Sequence, residues 1–344
     1  MKATIKFYFL ITGLLIANLP QFTIGQPIAQ KHSLSKPYLN FDACFGDKKP
    51  LILGNTMPMV RVKAGDFEGV FLLDFGSTFS TIDPNAFLGG MPAPVQGTND
   101  HFNGFDFFGP QGVVILAPRD HSNIQLPAPL REAGIIGTDF LSEKVFVIDY
   151  ENKLIYASRK ETFCTDDELR QAGFKPVSTG GYYSNDLRKL NNSCVANVPT
   201  VPVRIGLATA VAQIDAGFDD KVFHHSININ TAFFNAIVAS GTTLEEVPNG
   251  DQLLSTCVPN VKETVKRYKL KAGSNFEITG TNGAPVWVTS DATIFLKETP
   301  LEAKTCGGIG TWQIPAAQLG ASFLIDMKQI IFDPFASLVW IKTM

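Results

Sequence analysis

Leu72-Leu73-Asp74-Phe75-Gly76-Ser77-Thr78 and, much later, Gln213-Ile214-Asp215-Ala216-Gly217 share one pattern: an apolar run that ends in Asp-x-Gly. Each run reads as the second strand of a hairpin. Val60-Arg61-Val62 precedes the first across a turn at Ala64 to Glu68, and Val203-Arg204-Ile205 precedes the second. Alternation and β-branched residues give the strand reading. A second pair of segments repeats in the same order. Ile135-Ile136-Gly137-Thr138-Asp139-Phe140-Leu141 leads to Val145-Phe146-Val147-Ile148-Asp149 and Leu154-Ile155-Tyr156. Gln318-Leu319-Gly320-Ala321-Ser322-Phe323-Leu324 leads to Ile330-Ile331-Phe332-Asp333 and Leu338-Val339-Trp340. Two ordered repeats of this kind predict two structurally related halves.

Length agrees, because 344 residues exceed one ordinary hydrophobic core. Apolar residues at 45% against 18% charged fit a packed globular chain and exclude a disordered one. The net charge is −3 and no Lys/Arg-rich block stands out, so nucleic acid is not an expected partner. Helical pattern is sparse. Asn230 caps a predicted helix from Thr231 to Ser240 that stops at Gly241. Thr165 and Glu168 form a capping box for a short helix ending at Gly173. The remainder reads as short strands and Gly/Pro turns, which makes the class mainly β.

The N-terminus reads as a signal peptide over residues 1–25. Lys2 and Lys6 precede Phe7 to Leu19, an uncharged run of 13 residues that is too short to span a bilayer. Thr23 and Gly25 suit cleavage before Gln26; an uncleaved anchor is the other reading. Export, to the periplasm or outside the cell, permits disulfides. The five cysteines, Cys44, Cys164, Cys194, Cys257 and Cys306, match no zinc spacing. Cys164 and Cys194 flank the connector between the repeats and are one candidate pair, with Cys44 competing.

The two Asp-x-Gly segments and their partners resemble the pepsin/retropepsin superfamily of aspartic proteases, over about residues 51 to 344. That family carries apolar-apolar-Asp-Thr-Gly-Ser/Thr once per lobe, with a later apolar-apolar-Gly threading the same loop. The resemblance implies a bilobal pepsin-like acid protease fold: two related β-barrel-like lobes with the active-site cleft between them. The N-terminal lobe would span residues 51–160 after an arm at 26–50, the connector 161–197 and the C-terminal lobe 198–344. It implies an aspartic endopeptidase acting on polypeptides as a monomer, with no cofactor and no metal. Asp74 and Asp215 would be the catalytic pair. Two carboxylates held close cannot both ionise, so one proton is shared. The ionised member takes a proton from water while the protonated member hydrogen-bonds the scissile carbonyl. Gly76 and Gly217 would permit the close backbone approach, and the Ser77 hydroxyl would bond the outer oxygen of Asp74. Cys257 and Cys306 fall where the family has a C-lobe disulfide.

Three positions depart from that pattern. Phe75 and Ala216 replace the Thr that braces the opposite loop, and Phe218 replaces the Ser or Thr after the second Gly. Asp219 and Asp220 add negative charge beside Asp215. These departures support an alternative, a weak or inactive pepsin-like binding or inhibitor module. The covering flap has its best candidate in a hairpin from Asn103 to Val114 carrying Phe105, Phe107 and Phe108. The first half is the trimmed one, with 63 residues from Asp74 to Gly137 against 105 from Asp215 to Gly320. Gln26 to Pro50 leaves little room for a removable propeptide, and a bridge at Cys44 would pin it. Other signals are bland. His224-His225 would face opposite ways on a strand and read as loop or edge histidines. Gly307-Gly308-Ile309-Gly310 does not open a helix as a phosphate loop does. Asp149 and Asp333 end strands before turns. Asn191-Asn192-Ser193 is a glycosylation sequon.

Overall fold

The computed structural model describes residues 41–184, 197–218, 223–242, 244–256 and 258–342. The leader at 1–25, the sequon, Asp219, Asp220, Cys194 and Cys257 lie outside them, so the pairing of Cys257 with Cys306 does too. Among the described residues there are 24 strands, and the longest helix, Thr231–Ala239, has nine residues. The chain is mainly β, as its patterning predicts. Both anticipated caps are present. Asn230 accepts from the Phe233 amide ahead of that helix, and Thr165 and Glu168 close a capping box on Asp166–Gln171.

The sequence repeat is also a repeat of topology. Met57–Ala64 and Phe67–Leu73 form an antiparallel hairpin, with Val60 opposite Phe71. Its second strand pairs in parallel with Glu132–Ile136, Leu72 against Ile135 and Leu73 against Ile136. Thr200–Ile205 and Ala208–Ile214 form the second hairpin, whose second strand pairs in parallel with Ala316–Leu319, Gln213 against Gln318 and Ile214 against Leu319. A parallel neighbour requires a long crossover, and the strand following each Asp loop begins it. Thr81–Ile82 lies antiparallel to Glu132–Ile136, and Ser226–Asn230 lies antiparallel to Ala316–Leu319.

A six-stranded sheet draws on both halves. Its order is Asp47–Pro50, Leu154–Ser158, Val145–Asp149, Gln329–Asp333, Leu338–Lys342 and Phe174–Ser178. The middle pair joins the halves, with Phe146 opposite Phe332 and Ile148 opposite Ile330. Every residue of both middle strands is buried, which explains their near-continuous apolar sequences. Asp149 and Asp333 serve the turns that follow: Asp149 accepts from the Asn152 amide, and Asp333 from those of Phe335 and Ala336.

Asp47–Pro50, at the end of the anticipated N-terminal arm, is a strand that pairs with Leu154–Ser158. One expectation is revised. Cys164 bonds Cys44, not Cys194, across 120 residues of sequence. The bridge ties the start of the described chain to the segment after Leu154–Ser158, beside a cluster containing Phe45, Phe163 and Trp340. Among the described residues no helix is long and apolar enough to cross a membrane.

Candidate active site

Each Asp-x-Gly is a tight loop at the end of its hairpin, and corresponding bonds hold the two loops. The Asp74 amide donates to Ile136 O at 3.0 Å, and the Asp215 amide to Leu319 O at 2.9 Å. Ser77 N donates to Asp74 O and Phe218 N to Asp215 O, both at 3.2 Å. Thr138 N reaches Ser77 O and Ala321 N reaches Phe218 O, both at 2.8 Å. The apolar-apolar-Gly segments thread against these loops closely. A Cβ on Gly137 would stand 2.7 Å from Phe79 O, and one on Gly320 would stand 2.6 Å from Phe218 O.

This arrangement turns the two carboxylates toward each other. Gly76 N donates to Asp74 Oδ1 at 2.8 Å, and Gly217 N to Asp215 Oδ1 at 3.0 Å. The Gly217 amide also reaches Asp74 Oδ1 at 3.3 Å, so one donor serves both side chains. The glycines cradle the opposing groups: a Cβ on Gly76 would lie 2.6 Å from Asp215 Cγ, and one on Gly217 would lie 2.8 Å from Asp74 Oδ2. Asp74 and Asp215 are in side-chain hydrogen-bond contact.

Burial sets the electrostatics. Asp74 is pushed well above the ordinary carboxylate range, first by burial and then by the charge of Asp215, against the opposing pull of the Gly76 and Gly217 amides. Asp215 is also raised by burial, but more donors hold it back, led by Gln318. Gln318 Nε2 donates to Asp215 Oδ2, and Asn228 Nδ2 in turn donates to Gln318 Oε1 at 2.8 Å. The two carboxyls therefore differ in their support: backbone amides alone oppose the raised affinity of Asp74, while Gln318 adds a side-chain donor at Asp215.

The expected supports differ in detail. The Ser77 hydroxyl donates to Phe79 O at 2.8 Å, so it braces its own loop and does not touch the Asp74 carboxylate. Ser80 fixes that loop instead. Its Oγ donates to Asp139 Oδ1 at 2.7 Å and accepts from Gly137 N at 2.9 Å. Phe75 is fully buried and stacks on Phe332 with ring centroids 3.6 Å apart. Apolar packing thus occupies the place where a Thr brace was expected. Gln213 Nε2 supplies a link between the loops by donating to Gly76 O at 3.3 Å. Neither Gln213 nor Gln318 was assigned a role from sequence. The available signal was an amide at each place where the first half has Leu72 and Ile135.

Phe105, Phe107 and Phe108 do not form a flap. They are 0%, 3% and 5% exposed. Phe105 packs edge-on against Phe71, and Phe107 stacks on Phe146. Their hairpin is closed by the short pair His101–Phe102 and Val114–Ile115, and its aromatic residues fill the core of the first half. The cavity over the carboxylates, about 440 Å³, is bordered by Arg119, Asp120 and His121 and, from the second half, by Phe218, Leu254 and Lys297. His121 was not foreseen either. It is buried, with Nδ1 2.6 Å from Glu132 Oε1 and Nε2 3.0 Å from Thr81 Oγ1. It ties the cavity wall to the strand that threads the first loop.

Compared with known proteins, the chain matches no family model and no curated relative. A reading of function therefore rests on this geometry.

Proposed function

We propose that the protein is an exported aspartic endopeptidase of the pepsin-like, bilobal kind, active as a monomer on polypeptides and needing no cofactor. The observation that carries the reading is the pair Asp74 and Asp215, bonded through one shared amide at the floor of a cavity, both with raised proton affinity. In the proposed mechanism a water molecule lies between the carboxyl groups. Asp215, ionised and held by Gln318, takes its proton as the water oxygen attacks the scissile carbonyl carbon. Asp74, protonated, donates a hydrogen bond to the carbonyl oxygen as negative charge develops there. Collapse of the tetrahedral intermediate breaks the C–N bond, and the proton taken up by Asp215 goes to the leaving amine. Polar groups at the cavity border, Arg119, Asp120 and Lys297, would meet the substrate chain.

The test is cleavage of an unfolded protein substrate across the acid range, with and without a statine-type transition-state mimic such as pepstatin. Cleavage that the mimic suppresses supports the reading. A chain inert from about pH 3 to pH 7, where a dyad of this type cycles its proton, overturns it. One observation favours a second reading, a catalytically silent binding module: Phe75, Ala216 and Phe218 leave both loops without the expected hydroxyl braces, and Ser77 turns away from Asp74. Tight binding of the mimic without any cleavage would select that reading.

A further inference from the structure

His224 and His225 do not lie on a strand with opposed side chains. They lie in the turn before Ser226–Asn230, and His225 has φ of 50°, a left-handed conformation that among non-glycine residues Asn, Asp and His adopt most readily. The turn folds the two rings together, with centroids 4.0 Å apart. Both reach one atom. Asp326 Oδ2 is 2.8 Å from His224 Nε2 and 2.7 Å from His225 Nε2. Asp326 is the last residue of Ala321–Asp326, the helix that starts directly after Gly320.

The bonds around His225 orient its ring. His225 Nδ1 lies 2.9 Å from the carbonyl oxygen of Asp291, an atom that only accepts, so Nδ1 carries a proton and donates it there. The nearby Thr289 hydroxyl directs its own proton to the same carbonyl. With Nδ1 donating to that carbonyl, His225 turns Nε2 toward Asp326 Oδ2, 2.7 Å away, and His224 Nε2 converges on the same oxygen. A divalent ion among the three atoms would take a lone pair from each of them.

We propose that His224, His225 and Asp326 bind a divalent transition-metal ion, best matched by zinc, with a fourth position left to water. The three ligand atoms lie within 4.8 Å of one another, and two imidazoles with one carboxylate form a donor set suited to zinc. Ligands about 2.0 Å from a tetrahedral ion stand about 3.3 Å apart, so the present contacts open by about 0.5 Å to admit it. His224 and Asp326 have room to yield, their side chains being 53% and 38% exposed. His225 is fixed, and its bond to the Asp291 carbonyl is the outer-shell contact that orients a metal-binding imidazole. The ion would act structurally. It would fasten the far end of a helix whose first amide, Ala321 N, holds Phe218 O in the loop after Asp215. The inference does not depend on the chain being a protease.

The test uses the full chain, stripped with EDTA, dialysed against zinc ions near neutral pH, where imidazole ligands are deprotonated, and assayed for bound metal and thermal midpoint. The expected result is one zinc per chain and a raised midpoint. Affinity should fall by at least the roughly 10- to 100-fold associated with losing an outer-shell contact in both His224→Ala and Asp326→Ala, while His101→Ala binds as the native chain does. The exposed position of His224 keeps its variant folded, and a circular dichroism spectrum checks that. A cobalt-loaded sample should add the visible absorption of a four-coordinate site. Absence of bound zinc, or equal affinity in both ligand variants and the native chain, overturns the proposal.

Discussion

The loop around Asp74 and the loop around Asp215 have the same backbone bonds but different surroundings. Beneath the first, Leu72 and Ile135 face each other across a parallel pair and join a small apolar cluster with Met57 and Met59. At the same place in the second half stand Gln213 and Gln318. One amide crosses to Gly76 O and the other supports Asp215. The first loop is braced from outside through Ser80 and Asp139, and the second from beneath through Gln318 and Asn228. Backbone symmetry thus brings two like groups together, and side-chain asymmetry makes them chemically unlike. Amide donors stabilise a carboxylate, so the Gln-lined side favours the charged form more than the apolar side does.

The comparison breaks most completely if either carboxyl is dispensable. Asp74→Asn and Asp215→Asn should each lower kcat by about 10⁴-fold, the upper range for general acid–base work, with circular dichroism unchanged; one variant retaining a tenth of native turnover would end the shared-proton account. The next effect should come from the cradle. Gly76→Ala and Gly217→Ala push against the opposing carboxyl, and a displacement near 1 Å costs about 100-fold, read as kcat with the fold intact. A smaller change sharpens the asymmetry. Gln318→Leu removes the leading donor that holds Asp215 down, so the acid limb of the rate profile should move to higher pH. Ser77→Ala should leave that limb in place, since its hydroxyl does not meet Asp74.

Stability should respond to the same pair in a fixed direction. A carboxyl whose folded value lies above its unfolded one binds its proton more tightly in the native state. Its stabilising contribution is fully present below the unfolded value, about 3.9 for Asp, and is lost as pH rises through the folded value. Asp74→Asn should therefore raise the thermal midpoint at neutral pH relative to the native chain and flatten its decline above pH 4; a steeper decline in the variant would contradict the raised Asp74. The smallest effect on turnover should follow Cys44→Ser. It removes a bridge found in the first half, at a typical cost of about 2–4 kcal/mol in stability, measured by denaturant titration, with kcat unchanged.

Much of the fold was legible because its signals are local. Alternation marked the hairpins, Asn230 and Thr165 marked helix starts, and the repeated Gly marked where strands pass the Asp loops. The pairing of Asp74 with Asp215 was legible through the repeat. What escaped depends on direction, which sequence spacing does not carry. A serine beside Asp74 has a nearer acceptor in Phe79 O, within its own turn, and local geometry wins. Three phenylalanines in a hairpin suggest a covering lid, but Phe71, Phe140 and Phe146 offer them more buried surface than a cleft would. Adjacent histidines part on a strand and were read as loop or edge residues; one residue of positive φ instead folds the two rings together.

The sheet shared by Val145–Asp149 and Gln329–Asp333 has a consequence for assembly. Each half, made alone, would carry a bare and largely apolar strand edge, the feature that templates association between chains. The complementary edge lies about 180 residues away in the same molecule, as Phe146 and Phe332 do. A ribosome delivers the first edge long before the second, so the early half has to remain soluble while it waits. The two halves should accordingly melt as one cooperative unit rather than as beads on a string.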